Sequence, residues 1–342
     1  MGRAFNKETS VSWNSICGRV AACALLGMVA LWMGQAHAQD FPSRPIKILI
    51  GFAPGGGSDL IARLYAQHLR QELNTPVIVE NKAGASELQA VRALIASPPD
   101  GYTLWLAAGG ALSIGPGIRK DLPYEPLTSL SHVAMVATAP GVFYVNPALP
   151  VRSVSDFVAY AQANPGKVNF SSSGVGSGSH LQVEYFMQGA GIKMTHIPYK
   201  SSPEAAQSVV SGEVQFGLAP AQTAIPLAND GRVRAIAVTN TRRLPALPNV
   251  PTMAEAGSNA ALKSMDGFSY YALVGPANMP SAVIQKINQA FNKVGAMPEV
   301  VEHMRDRFSV EPVTTTPAAF REYLEKDLMK WKEVGKTVKI DG

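Results

Sequence analysis

Ile46-Lys47-Ile48-Leu49-Ile50-Gly51-Phe52-Ala53-Pro54-Gly55-Gly56-Gly57-Ser58-Asp59 runs from an apolar strand through a glycine loop into a helix. The helix is signalled by Leu60, Ile61, Leu64, Leu69 and Leu73, which fall on roughly one face. A second stretch repeats the design, with Val168 to Phe170 as the strand and Ser171-Ser172-Ser173-Gly174-Val175-Gly176-Ser177-Gly178-Ser179-His180 as the loop that opens a helix. The first N–H groups of a helix have no internal partner and sit at the positive end of its dipole. Each loop is therefore a prospective anion cradle. Glycines let the backbone approach a ligand, and serines add hydroxyl donors without adding charge. Two cradles predict a ligand with an anionic group at one or both ends.

Along the rest of the sequence, short β-rich runs alternate with helical patterns. Strands are predicted at Ile46–Phe52, Val77–Glu80, Thr103–Ala107, Val133–Ala137, Val142–Asn146, Met194–Tyr199, Val214–Ala219 and Val233–Thr239. Helices are predicted at Leu60–Leu73, Glu87–Ala96, Val154–Ala163, Leu181–Gln188 and Pro203–Val210, then Ala282–Val294, Glu299–Asp306 and Ala318–Val334. This alternation marks βαβ units, so the fold class is α/β with two domains, each a mainly parallel sheet flanked by helices. Crossings at Pro140-Gly141 and within Lys263 to Tyr271 give each domain one Gly/Ser loop. The expected division is residues 39–141 plus 265–342 for the first domain and 142–264 for the second. Ligands of open α/β sheets bind beyond the carboxyl ends of strands, so the two loops should face each other across a hinged cleft.

Composition removes several function classes. Arg3, Lys7 and Arg19 followed by the apolar Val20 to Met33 and by Ala36-His37-Ala38 read as a signal peptide, residues 1–38, cleaved after Ala38. Cys17 and Cys23, the only cysteines, both lie in that leader, so the exported chain would have no disulfide, thiol nucleophile or thiolate metal ligand. About 300 residues remain, enough for two domains. Setting aside the leader's Arg3, Lys7, Arg19 and Glu8 lowers the net charge from +5 to +3. Without a basic stripe, nucleic acid is not an expected partner.

Catalytic and metal motifs are mostly missing from the sequence. There is no G-x-S-x-G elbow, no P-loop, and no H-E-x-x-H or H-x-x-x-H pair among His68, His132, His180, His196 and His303. No metal or cofactor is expected. Asp59 fits a first-turn helix position with Ser58 as the N-cap, and His180 fits a capping role; the rival reading makes one of them the base of a secreted α/β hydrolase or lyase. Trp105 reads as core. Phe52 and Tyr199 end strands beside the expected cleft, and either can cover an apolar ligand body or simply pack. Arg242-Arg243 reads as a solvated loop feature.

Several motifs together resemble the Bug family of extracytoplasmic solute receptors associated with tripartite tricarboxylate transporters. They include Pro42-Ser43-Arg44-Pro45-Ile46, Phe52 to Asp59, Val79-Glu80-Asn81-Lys82-Ala83-Gly84 and Pro99-Asp100-Gly101-Tyr102-Thr103-Leu104. Leu122-Pro123-Tyr124, Ser172 to Leu181, His196-Ile197-Pro198-Tyr199-Lys200 and Leu247-Pro248-Asn249-Val250-Pro251-Thr252 continue the match in order, to Ala254-Glu255-Ala256-Gly257. The resemblance implies a periplasmic binding protein of the type II-like, Venus flytrap kind that closes on a small mono- or dicarboxylate for transport or sensing. It is expected to act without catalysis, as a monomer. By position it implies ligand contacts from Phe52, Ala53, Pro54, Gly55, Gly56, Gly57, Ser58 and Asp59, and from Gly109 and Gly110. On the second side it implies Ser172, Ser173, Gly174, Val175, Gly176, Ser177, Ser179 and His180, with Tyr199, Ala219, Pro220 and Ala221 at the border. The chain departs from the family pattern at Ala85-Ser86-Glu87-Leu88-Gln89, where a Gly/Asn-rich turn is usual. It departs again at Ala107-Ala108-Gly109-Gly110-Ala111, at Ser201 and at Ala219-Pro220-Ala221, changes that make the wall less polar.

Overall fold

The computed structural model describes Met1, residues 41–265 and residues 267–336. The predicted leader, with Cys17, Cys23 and the Ala36-His37-Ala38 site, lies outside the described residues. The chain divides after Ser43, and its larger unit begins at Arg44.

Two sheets organise that unit. The first contains β1 (Ile46–Ile50), β2 (Val77–Asn81), β3 (Thr103–Ala108), β4 (Leu130–Ala139), β10 (Ser269–Pro276) and β11 (Glu311–Pro312), in the order β11-β4-β10-β3-β1-β2. The second contains β5 (Gly141–Val145), β6 (Asn169–Ser172), β7 (Thr195–Pro198), β8 (Phe216–Pro220) and β9 (Arg234–Thr239), in the order β7-β6-β8-β5-β9. The helices of eight or more residues are α1 (Gly57–Glu72), α2 (Leu88–Ile95), α3 (Val154–Ala163), α4 (Gly178–Ala190), α5 (Ser202–Val210), α6 (Ala221–Asn229), α7 (Ser281–Gly295) and α8 (Pro317–Val334).

Pairing is parallel where a helix returns the chain, as for β1 with β2 and β3, and for β6 with β7 and β8. It is antiparallel around the strands that change sheets. β10 lies antiparallel between β3 and β4, and β5 lies antiparallel between β8 and β9. The chain leaves the first sheet at Ala139, turns at Pro140 and enters the second at Gly141, whose N–H donates to Thr239 Oγ1 at 2.9 Å. It returns through Phe268 into β10. That strand, Ser269-Tyr270-Tyr271-Ala272-Leu273-Val274-Gly275-Pro276, is not among the predicted strands and begins inside the crossing expected at Lys263 to Tyr271. Seven of its eight residues are buried, so no alternation announces a strand.

Each sheet has its own apolar core. Around the first, Leu49, Trp105, Ala272, Val274, Phe320 and Leu324 pack together. On one face of the second, Phe143, Phe157, Phe170, Phe186 and Phe216 cluster, and Phe157 stacks on Phe216 with centroids 4.2 Å apart. Each such ring contributes about 1.5–3 kcal/mol by leaving water. On α1, Ile61, Tyr65 and Leu69 are buried at helical spacing while Arg63 and Arg70 face solvent, so the helix is pinned to its sheet and its N-terminus is held in place. Among the described residues no helix is long and apolar enough to cross a membrane.

Candidate functional site

The first cradle starts where β1 ends. Gly55 adopts φ +84°, a conformation open to glycine, and its N–H donates to Asp59 Oδ2 at 3.0 Å. Helix α1 begins at Gly57 with Gly56 at the cap, so Ser58 is its second residue and not the N-cap. The cap has no side-chain bond, and the N–H groups of Gly57 and Ser58 have no partner inside the helix. Asp59 points away from this opening. Its carboxylate accepts from Gly55, from Arg63 Nε at 3.0 Å and from Asn81 Nδ2 at 2.9 Å, and Asn81 also donates to the Phe52 carbonyl at 3.0 Å. Burial works against the Asp59 charge, but the Arg63, Gly55 and Asn81 donors outweigh it and hold the pKa below the usual carboxylate range. Asp59 is the staple that fixes the loop.

The second cradle follows β6. Ser177 is the N-cap of α4 and its Oγ accepts from the His180 N–H at 3.3 Å. Ser173 N–H donates to Ser179 Oγ at 3.1 Å, and the hydroxyls of Ser173, Ser177 and Ser179 lie 3.1–3.2 Å apart as one cluster. His180 lies beneath this loop. Its Nδ1 accepts from the Gly176 N–H at 2.9 Å, which puts the ring proton on Nε2, 3.4 Å from Glu184 Oε1. His196 stacks on His180 with centroids 3.8 Å apart and bonds Ser172 Oγ at 2.6 Å. Burial, with the His180 ring beside it, pushes the His196 pKa down to about 3, so it remains a neutral brace.

Both loops face one cavity of about 520 Å³, mouth included. Phe52, Gly56, Gly57, Ser58 and Gly110 line it from one side, and Ser173, Ser177, Gly178, Ser179, Ser202 and Pro220 from the other. The β10 segment closes the back with Phe268, Ser269 and Tyr271. No lysine, arginine or histidine is among the lining residues; Glu87 is the one carboxyl group. Two helix N-termini thus supply the positive potential, roughly 0.3–2 kcal/mol each for a bound anion.

The two sides touch. Ser86 Oγ donates to the Val175 carbonyl at 2.5 Å, and Gln222 Nε2 donates to Tyr271 OH at 2.9 Å. Ile114, Leu181 and Trp331 form an apolar cluster shared by both sides. A Cβ at Gly110 would stand 2.7 Å from Gly178 N, and one at Gly57 would stand 2.0 Å from Gln222 Nε2, so glycine is what lets these surfaces meet. The Gly110 turn, Gly110–Ile114, is held from behind: Tyr270 OH donates to Ser113 Oγ at 3.1 Å, and Ser113 Oγ bonds the Asp327 carboxyl of α8.

The remaining expected site residues fall elsewhere. Ala53, Pro54, Gly55, Asp59, Gly109, Ser172, Gly174, Val175, Gly176, His180 and Tyr199 are not among the lining residues. Gly109 packs on the Tyr270 ring and Val175 is exposed at the rim. Ala219 and Ala221 are core residues, packed with Val142, Tyr144 and Val238. Ser86, Glu87, Ala108, Ala111, Gly178, Ser202, Phe268, Ser269 and Tyr271 line the cavity without being among the expected site residues. Of these, Gly178 and the unusual Ser86-Glu87 pair carry a signal. No group of three or more His, Cys, Asp or Glu among the described residues is arranged to hold a metal ion.

The chain resembles known proteins across nearly its whole length. It is 33% identical over 298 residues to a UPF0065 protein of Bordetella pertussis, covering 87% of this chain and 89% of that protein. The solved periplasmic binding protein BugD superposes with a TM-score of 0.81 at 28% identity, covering 87% of this chain and 98% of that one. Rpa4515 of R. palustris, solved with adipate, gives a TM-score of 0.82 at 27% identity, with 87% and 98% covered. The family described as tripartite tricarboxylate transporter family receptor matches residues 61–340. The fold is therefore that of a two-domain periplasmic binding protein, and the chain belongs to the tripartite tricarboxylate transporter receptor family.

Proposed function

We propose that this protein is a periplasmic receptor that captures a small mono- or dicarboxylate between two hinged lobes and delivers it to a tripartite tricarboxylate transporter or a sensor. The observation that carries the reading is the convergence of the α1 and α4 N-termini on one cavity whose lining holds no basic side chain. Adipate in the similar R. palustris protein supports a carboxylate ligand. Two helix ends, several N–H and hydroxyl donors and exclusion of water together must supply about 8 kcal/mol for micromolar binding. The hinge consists of the two crossings between the sheets, at Pro140-Gly141 and within Lys263 to Tyr271. A ligand shifts the lobes towards closure only through contacts it makes better in the closed state than in the open one, and these add to the direct Ser86–Val175 and Gln222–Tyr271 bonds.

Catalysis by Asp59 or His180 fits the geometry poorly, because the Asp59 carboxylate is occupied by three donors and His180 Nδ1 by Gly176. The receptor acts as a monomer, exported with its leader removed after Ala38. Calorimetry of the purified protein against a panel of aliphatic and aromatic carboxylates should give saturable heat at micromolar ligand, with no product formed. Silence across the panel, or turnover that vanishes in Asp59→Asn or His180→Ala, overturns the reading.

A further inference from the structure

Ala85, Ser86 and Glu87 are three consecutive residues with positive φ, +47°, +52° and +73°, none of them glycine. Left-handed backbone costs a non-glycine residue roughly 1–2 kcal/mol, and three in a row persist only when the surroundings enforce them. The turn ends by driving the Glu87 side chain into the cavity wall, where the residue is 1% exposed. Gly51 leaves the room behind it, since a Cβ there would stand 2.4 Å from Glu87 Cβ. Trp105 Nε1 donates to Oε2 at 3.1 Å and the Ala108 N–H donates to Oε1 at 3.2 Å.

The groups facing this carboxyl are Trp105 and Ala108 on β3, Tyr271 on β10, and Tyr124. None is cationic, both tyrosines have pKa values raised by burial, and the neighbouring Arg119 is paired with Asp121. Burial likewise pushes the Glu87 pKa up to about 8, against the pull of the Ala108 and Trp105 donors. Each carboxyl oxygen already accepts one bond, so the neutral acid has a single O–H left to give. A ligand anion arriving at the two helix ends strengthens that protonated form.

Resting on the carboxylate-receptor reading, we infer that Glu87 is a specificity-determining residue of this site: as a neutral acid it donates its O–H to an oxygen of the bound carboxylate. The receptor thereby selects carboxylates that carry no ammonium group next to that end. An ionised Glu87 would instead favour amino-carboxylates.

The test is calorimetry with adipate, L-malate, benzoate and L-glutamate at pH 6 to 10, on the wild type and on Glu87→Gln. The carboxylates stay ionised throughout this range. The dissociation constant of any that binds should be level below pH ~7 and rise about tenfold per pH unit above ~8, as the proton must then be taken up with the ligand. Glu87→Gln should bind without that break. Glu87→Gly, which suits φ +73°, provides a folded second variant and should also lose the break. Wild-type affinity level to pH 10, or tightest binding by L-glutamate with affinity rising with pH, overturns the Glu87 role and leaves the receptor reading intact. No binding by either protein at any pH overturns both.

Discussion

Replacing Gly110 by alanine should separate binding from stability. The new Cβ would stand 2.7 Å from Gly178 N and 3.2 Å from Gly178 Cα, where ordinary contact begins near 3.4 Å. Both neighbours are backbone, so no side chain can rotate away and the N-terminus of α4 must retreat by about 0.7 Å. That retreat draws the α4 donors off the ligand and stretches the Ser86–Val175 and Gln222–Tyr271 bonds. Losing one or two such bonds at about 0.5–1.5 kcal/mol each, together with weakened anion contacts, amounts to roughly 1.5–3 kcal/mol. Affinity for carboxylate should fall about ten- to a hundredfold. The clash exists only between the lobes, and alanine suits a helical turn better than glycine by about 0.5–1 kcal/mol. The melting temperature without ligand should therefore stay level or rise slightly. Titration calorimetry, a thermal melt of the unliganded protein and the ligand-induced contraction in small-angle scattering read the three quantities. Wild-type affinity with full contraction would show that close approach of Gly110 to Gly178 is not needed for binding.

Removing the phenol oxygen in Tyr271→Phe takes away the acceptor of Gln222 Nε2, and affinity should drop about three- to tenfold by calorimetry while the unliganded melt is nearly unchanged. Asp59→Asn removes the charge that gathers Gly55, Arg63 and Asn81, and urea unfolding should show a loss of about 1–3 kcal/mol. His196 has a folded pKa near 3 against 6.5 in the open chain, so the unfolded state binds its proton first and stability declines as pH falls from 6.5 towards 3. Urea midpoints at pH 7 and pH 4.5 should differ less in His196→Gln. Glu87 works in the opposite sense. With its pKa raised from 4.5 to about 8, its stabilising contribution is complete below pH 4.5 and is lost as pH rises to about 8, a trend that Glu87→Gln should remove from the same urea series.

The cradles are legible because a glycine run after an apolar strand has few other uses. Gly56, Gly57 and Ser58, and Ser173, Ser177 and Ser179, line the cavity as their loop positions suggest. What stays hidden depends on contacts distant in sequence. β10 reads as an undifferentiated apolar run, and its place between β3 and β4 follows from tertiary pairing, which local pattern does not encode. Glu87 reads as an ordinary first residue of a helix. Its φ of +73° and its burial against Trp105 arise from the turn before it, and only the non-glycine composition of that turn hints at them. Asp59 and His180 do stand beside their loops, yet both turn inward as braces because buried N–H groups of the loops themselves require partners.

In the proposed receptor, backbone N–H groups of both loops grip one anion together. Amide NMR of the isotopically labelled protein during titration with a binding carboxylate reads it directly, residue by residue. The Gly57, Ser58, Gly178 and Ser179 N–H signals should move downfield together and saturate at the same ligand concentration. Movement confined to one loop, or saturation of the two at different concentrations, would contradict it.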